Sequence, residues 1–200
     1  MPCLPACLAA LIAALALFAH APRPALAHPH VWIEAAVELH FDGDAVTELE
    51  IDWAFDPFFS MTLLEDFDLD GDGRFDDYET GLMLDQVGPN LAILNWFTHA
   101  EIGFDQLKVE EVENFRAVER DGAVHFRFTI PLPQPVNPRK ERFVLGLFDQ
   151  TFFVAFRIRD DDGVDMTGAP QGCRALQDVS TGPMTEWGAV IYDSVEVLCG

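Results

Sequence analysis

Residues 31–55 read VWIEAAVELHFDGDAVTELEIDWAF. From Val31 to Phe41 an apolar residue recurs at every second position (Val31, Ile33, Ala35, Val37, Leu39, Phe41), with Glu34, Glu38 and His40 on the other side. A period of two belongs to a strand buried on one face. Gly43-Asp44 breaks the pattern with turn residues, and Val46–Phe55 alternates again, so the spacing predicts a hairpin.

The same signals return downstream. Val112–Arg120 and Ala123–Ile130 flank Asp121-Gly122, a two-residue hairpin signal. Pro131, Pro133, Pro135 and Pro138 read as an extended link. Arg142–Phe148 and Thr151–Ile158 read as a further strand pair. Gly163–Pro183 is rich in Gly and Pro, and Trp187–Leu198 is the last predicted strand. Many short strands with turns between them predict a mainly β, α+β fold: an antiparallel sandwich-like sheet with a helical insertion at about residues 56–99, between the second and third strands.

The insertion carries the sharpest chemical pattern. Residues 68–79 read DLDGDGRFDDYE. Asp68, Asp70 and Asp72 hold positions one, three and five of an EF-hand loop, and Gly73 holds the sharp turn at six. Arg74 offers its carbonyl at seven, Phe75 tucks toward the core, Asp76 acts through water at nine, and Glu79 supplies the bidentate carboxylate at twelve. A hard cation that takes six to eight oxygens needs this density of carboxylates on one tight loop. The flanks agree. Asp56 suits an N-cap and Pro57 the first helical position, and Phe59, Leu63 and Phe67 form one stripe of an entering helix. The exit segment Asp77–Val87 is helix-compatible and is expected to stop at Gly88-Pro89, with a last helix near Pro89–Phe97. Only one such loop is present; Asp160–Asp165 is acidic but lacks the spacing. A lone loop outside the cytosol fits the weak class, with a dissociation constant of roughly 0.1–1 mM, and so a calcium staple rather than a switch.

Residues 1–27 read as a secretory signal peptide, with an apolar run from Leu8 to Phe18 and an Ala25-Leu26-Ala27 cleavage site. Met1–Cys7 carries no Lys or Arg, a departure from the usual positive start. Residues 28–200 are then expected as a single periplasmic domain, not membrane-spanning after cleavage. The formal net charge of −22 disfavours nucleic acid and anionic lipid and favours cations and basic partners. Cys3 and Cys7 leave with the signal. Cys173 and Cys199 remain, an even pair in an oxidising compartment, and are expected to form one disulfide.

Cleavage after Ala27 exposes His28-Pro29-His30. The terminal amine with His28 and His30 can bind nickel, cobalt, zinc or copper. Pro29 has no N–H, which excludes the amino-terminal copper/nickel mode that needs deprotonated amides at positions two and three. His40, His99 and His125 are candidate third ligands, with Glu34 or Asp149 as oxygen donors.

With these residues on the page the chain resembles a bacterial family, domain of unknown function number 1007. The resemblance rests on His28-Pro29-His30-Val31-Trp32-Ile33, on Trp53-Ala54-Phe55-Asp56 with Phe58-Phe59-Ser60, on the acidic Asp68–Glu79 loop, and on Phe148-Asp149-Gln150-Thr151-Phe152-Phe153-Val154-Ala155-Phe156. It implies a periplasmic component of an ABC-type transport system, often beside nickel/cobalt-type exporters or permeases, and hence a membrane metal transporter as partner. It implies no reaction. The sequence has no Gly-x-Ser-x-Gly elbow, His-Glu-x-x-His helix or phosphate-binding loop, so the expectation is a non-enzymatic accessory protein. The alternative is a calcium-stabilised protein-interaction module whose histidines are incidental.

Overall fold

A computed structural model describes residues 30–200; the expected signal peptide and His28 lie outside the described residues. The predicted first hairpin is β1 (Val31–Asp42) and β2 (Ala45–Phe55), antiparallel with Ile33 opposite Phe55 and Leu39 opposite Leu49. The alternating apolar set of β1 from Val31 to Leu39 is buried, as the period requires.

A helix–loop–helix follows: α1 (Pro57–Phe67), the loop, and α2 (Asp77–Ile93). Asp56 is the N-cap, accepting from the N–H groups of Phe58 and Phe59, and Pro57 occupies the first turn. Leu63 and Phe67 are buried, and Phe59 packs against the core. The expected stop at Gly88-Pro89 does not occur, because α2 runs through both residues. An interior Pro costs a helix about 3 kcal/mol. Here Met83 is fully buried and Leu84, Val87 and Leu91 pack on the core. That stripe outweighs the local break. The expected last helix over Pro89–Phe97 is therefore the end of α2 followed by a tight turn, in which Asn95, Trp96 and Phe97 all have positive φ. The Asn95 amide holds this turn, donating to the carbonyls of Thr98 and Leu107 and accepting from the N–H of Val109.

Two sheets enclose the core. The first has the order β5 (Glu113–Arg120), β6 (Ala123–Val136), β2, β1, β8 (Val154–Ile158), with β9 (Val164–Thr167) also paired to β1. The second has the order β10 (Cys173–Thr185), β11 (Gly188–Cys199), β7 (Phe143–Leu147), β3 (Thr98–Ile102), β4 (Asp105–Gln106). The Asp121-Gly122 turn forms as predicted, both residues having positive φ, the geometry two-residue hairpins favour.

Two expectations about strand pairing need correction. The first sheet is mixed, not antiparallel, since β8 and β9 both run parallel to β1. β7 and β8 do not pair with each other; the chain crosses from one sheet to the other between them. The Gly- and Pro-rich stretch contains β9 and most of β10, and the proline link at 131–135 is a continuation of β6. The prolines fit because β5 pairs β6 no further than Thr129, leaving the rest of β6 as an edge, where a missing N–H is tolerated.

The core is aromatic. Trp53 meets Phe128 edge-on at 4.8 Å and Phe156 at 5.5 Å, and Phe55 meets Phe126 at 4.7 Å. Cys173 and Cys199 form the expected disulfide, joining opposite residues of β10 and β11.

Candidate functional site

The loop between α1 and α2 is built by its own carboxylates. Asp68 accepts from the N–H groups of Gly71 (2.8 Å), Asp72 (3.1 Å) and Gly73 (2.8 Å). Gly73 has φ +80°, a backbone state only Gly adopts freely. Asp70 accepts from Asp72, and Asp72 from Arg74. Asp76 caps α2 in a capping box with Glu79, each side chain accepting the other's N–H. The second oxygen of Glu79 accepts from Leu69 at 2.7 Å, so a carboxylate that is only 4% exposed spans the two ends of the loop.

Asp68, Asp70 and Glu79 each bring a carboxylate oxygen within 4.8 Å of the others. Such convergence costs ionisation energy unless a cation shares it. At Asp70 the hydrogen bond from Asp72 pulls the carboxyl down. Desolvation and the charges of Asp72, Glu79 and Asp68 outweigh it, and the net shift is upward from 3.8. Asp72, Arg74 and Asp76 lie on the same loop but outside this group of three.

The amino-terminal histidines are placed less completely. His30 is exposed, its N–H donates to the carbonyl of Phe153 (2.8 Å), and its ring lies 4.9 Å from that of Phe153. Among the described residues, neither group of three clustered metal-ligating side chains includes His30. His40 lies ten residues further along the same strand, about 33 Å away at strand rise. His99 stacks on Phe148 at 3.5 Å in the other sheet, and its Nε2 faces the Phe148 carbonyl at 3.2 Å. Burial lowers the His99 pKa from 6.5, opposed by that carbonyl. With Glu101, Gln106, Gln150 and Tyr192 it lines a cleft of about 320 Å³. His125 is buried and bonds through Nδ1 to Asp52 at 2.7 Å. Burial raises Asp52, but the bond and charge of His125, with Arg120 and Arg159, carry it below 3.8. Glu34 faces the outer side of the sheet opposite Ala54 and Arg157. Asp149 is buried and committed: it accepts from the N–H groups of Thr151, Phe153 and Val154 and from the Thr151 hydroxyl.

Three of the four motif segments meet at the start of β1. Val31 pairs with Val154, placing the first segment beside the Phe148–Phe156 segment. Trp32 exchanges backbone and side-chain bonds with Asp56 of the second. Around this junction Trp32 (60% exposed), Phe58 (72%) and Phe153 (52%) remain open to solvent.

One group escaped the sequence reading. Glu38, His40 and Glu50 gather ligating atoms within 4.8 Å on the outer face of the first sheet. The cross-strand register that joins Glu38 to Glu50 was the missing signal.

Among known proteins, the chain is 34% identical over 117 residues to a 15.5 kDa protein of the trpE 3′ region in Spirochaeta aurantia, covering 58% of this chain and 83% of that one. It is 22% identical over 151 residues to a Haemophilus influenzae protein, covering 74% and 71%. The family model described as protein of unknown function (DUF1007) matches residues 13–182, and the chain belongs to that family.

Proposed function

We propose that this protein is a periplasmic, non-enzymatic accessory of a divalent-metal transport system, with an EF-hand loop that binds calcium as a structural staple. The observation that carries the calcium reading is the convergence of Asp68, Asp70 and Glu79 on one centre, held there by loop N–H groups. Calcium takes carboxylate oxygens and the Arg74 carbonyl in this loop geometry, with Asp76 acting through water. In this reading the cation replaces repulsion among the carboxylates with attraction and locks α1 to α2. The family resemblance and the His28 and His30 pair support transfer of nickel, cobalt, zinc or copper to or from a membrane transporter.

A second reading has its own observation. Trp32, Phe58 and Phe153 are large exposed apolar side chains grouped at the meeting of the three motifs. They suit a calcium-stabilised interaction module.

Intact native mass of the untagged secreted chain, with calcium and each transition metal in turn, separates the readings. One calcium plus one transition metal per chain supports the transport accessory. Calcium alone leaves the interaction module, and no calcium overturns both.

A further inference from the structure

We infer that the outer face of the β1–β2 hairpin is a binding site for a first-row divalent cation of the zinc class, with Glu38, His40 and Glu50 as ligands. This rests on the metal-handling reading above and moves its transition-metal centre away from the amino terminus.

The side chains share a face by strand alternation. Glu38 stands directly opposite Glu50, and His40 opposite Glu48. Like charges facing each other across a strand pair destabilise it, so the Glu38–Glu50 pair calls for a cation. Arg127 supplies one, but it bonds Oε1 of Glu50, whereas Oε2 faces His40. Three glutamates and one arginine leave two net negative charges around the ring, the charge a divalent ion cancels.

The imidazole is oriented for ligation. Its Nε2 lies 3.5 Å from Glu38 Oε1 and 3.9 Å from Glu50 Oε2, and its Nδ1 lies 4.0 Å from Glu48 Oε1. These are longer than imidazole–carboxylate hydrogen bonds, which run at about 2.7–3.2 Å. They are close to the spacing of two ligands on one ion, because donors ~2.1 Å from a tetrahedral metal stand ~3.4 Å apart. With Nδ1 turned toward Glu48, Nε2 is the ring nitrogen that faces Glu38 and Glu50.

The support is rigid. Thr167 on β9 donates its hydroxyl to Glu38 at 2.5 Å, and Thr47 donates to the backbone carbonyl of His40. The register shifts at His40/Phe41, a bulge of the kind that re-aims side chains beside functional sites. Glu38 and Glu50 also line an open cleft of about 200 Å³ that gives the ion access. One nitrogen and two carboxylates favour zinc, manganese, cobalt or ferrous iron over calcium.

The test is zinc titration of the full secreted chain in saturating calcium, followed by calorimetry and by imidazole nitrogen shifts. The variants are His40→Ala, Glu50→Gln, Thr167→Val and His30→Ala, with circular dichroism and calcium binding as controls for folding. We expect one zinc per chain and a shift at His40 Nε2. Affinity should fall by about 100-fold or more in His40→Ala and Glu50→Gln and by about tenfold in Thr167→Val, and should hold in His30→Ala. Zinc lost in His30→Ala but kept in His40→Ala overturns the site and leaves metal handling at the amino terminus. No zinc binding by a chain that still binds calcium overturns both the site and the metal-handling reading.

Discussion

Asp56 and Trp32 are joined twice: the Asp56 N–H donates to the Trp32 carbonyl at 2.9 Å, and the Trp32 N–H donates to Asp56 Oδ2 at 2.9 Å. The other carboxylate oxygen caps α1 through Phe58 and Phe59. One side chain thus couples the start of β1 to the helix that enters the acidic loop. Asp56→Ala removes a cap and a charge-assisted bond and is expected to cost about 2–3 kcal/mol. Asp56→Asn keeps the cap but can place an N–H against that of Trp32, so it should cost less than Asp56→Ala and more than nothing. Chemical unfolding of both variants, with calcium present, checks the order; equal costs would refute the double role.

Calcium removal should lower the unfolding temperature, and Asp68→Ala should abolish the difference between calcium and chelator. The upward shift at Asp70 fixes the sign of the pH effect. A raised folded pKa contributes stability below the unfolded value that is lost as pH rises through the folded one, so the calcium-free loop is favoured by acid. Calcium needs the ionised form and binds more weakly as pH falls toward and below the raised pKa. Calcium titrations from pH 7 to 4 should show this loss. An affinity that stays flat to pH 4 would mean Asp70 is not a ligand.

His99 gives the opposite dependence. Its folded pKa is depressed by burial, against an unfolded value of about 6.5. Between the two values the unfolded chain holds more protons, so stability falls as pH drops below about 6.5 and continues to fall through the folded pKa. His99→Gln, which keeps a donor toward the Phe148 carbonyl, should flatten that part of the profile. Urea unfolding of both proteins at pH 7.5 and 5.5 measures it, and parallel profiles would refute the assignment.

The Cys173–Cys199 bridge closes a separation of 26 residues. Chain entropy assigns such a loop about 3.5 kcal/mol. Cys173→Ser with Cys199→Ser should lower the unfolding temperature while leaving calcium affinity unchanged, because the bridge lies on β10–β11 and the loop lies between α1 and α2. A loss of calcium binding in that variant would contradict this separation.

Local patterns made much of the fold legible. The alternation of Val31–Phe55, the Asp56-Pro57 start and the Asp121-Gly122 turn all encode their own geometry, and the Cys173–Cys199 disulfide joins the two cysteines that remain after residue 27. The acidic stretch 68–79 stands out in the sequence by the spacing of its carboxylates, and the structure brings Asp68, Asp70 and Glu79 of that stretch together. The partners of β1 were not legible, since a strand's own sequence does not say which distant segment will lie beside it. The run of α2 through Pro89 was hidden for a related reason: packing of Met83, Leu84 and Leu91 decides it. The same gap concealed the Glu38–His40–Glu50 group, whose members converge only when β1 and β2 are in register.

The parallel seam of β1 has a kinetic consequence. β1 and β2 can pair as soon as the hairpin is made, but Val31 must wait for Val154, and Val37 for Val164. Until that late C-terminal stretch arrives, the other side of β1 is a bare row of N–H and C=O groups beside a hydrophobic face, a template for wrong pairing. The chain therefore folds under a delay set by its own length, and a holdase that covers this edge during that interval should raise the yield of native protein.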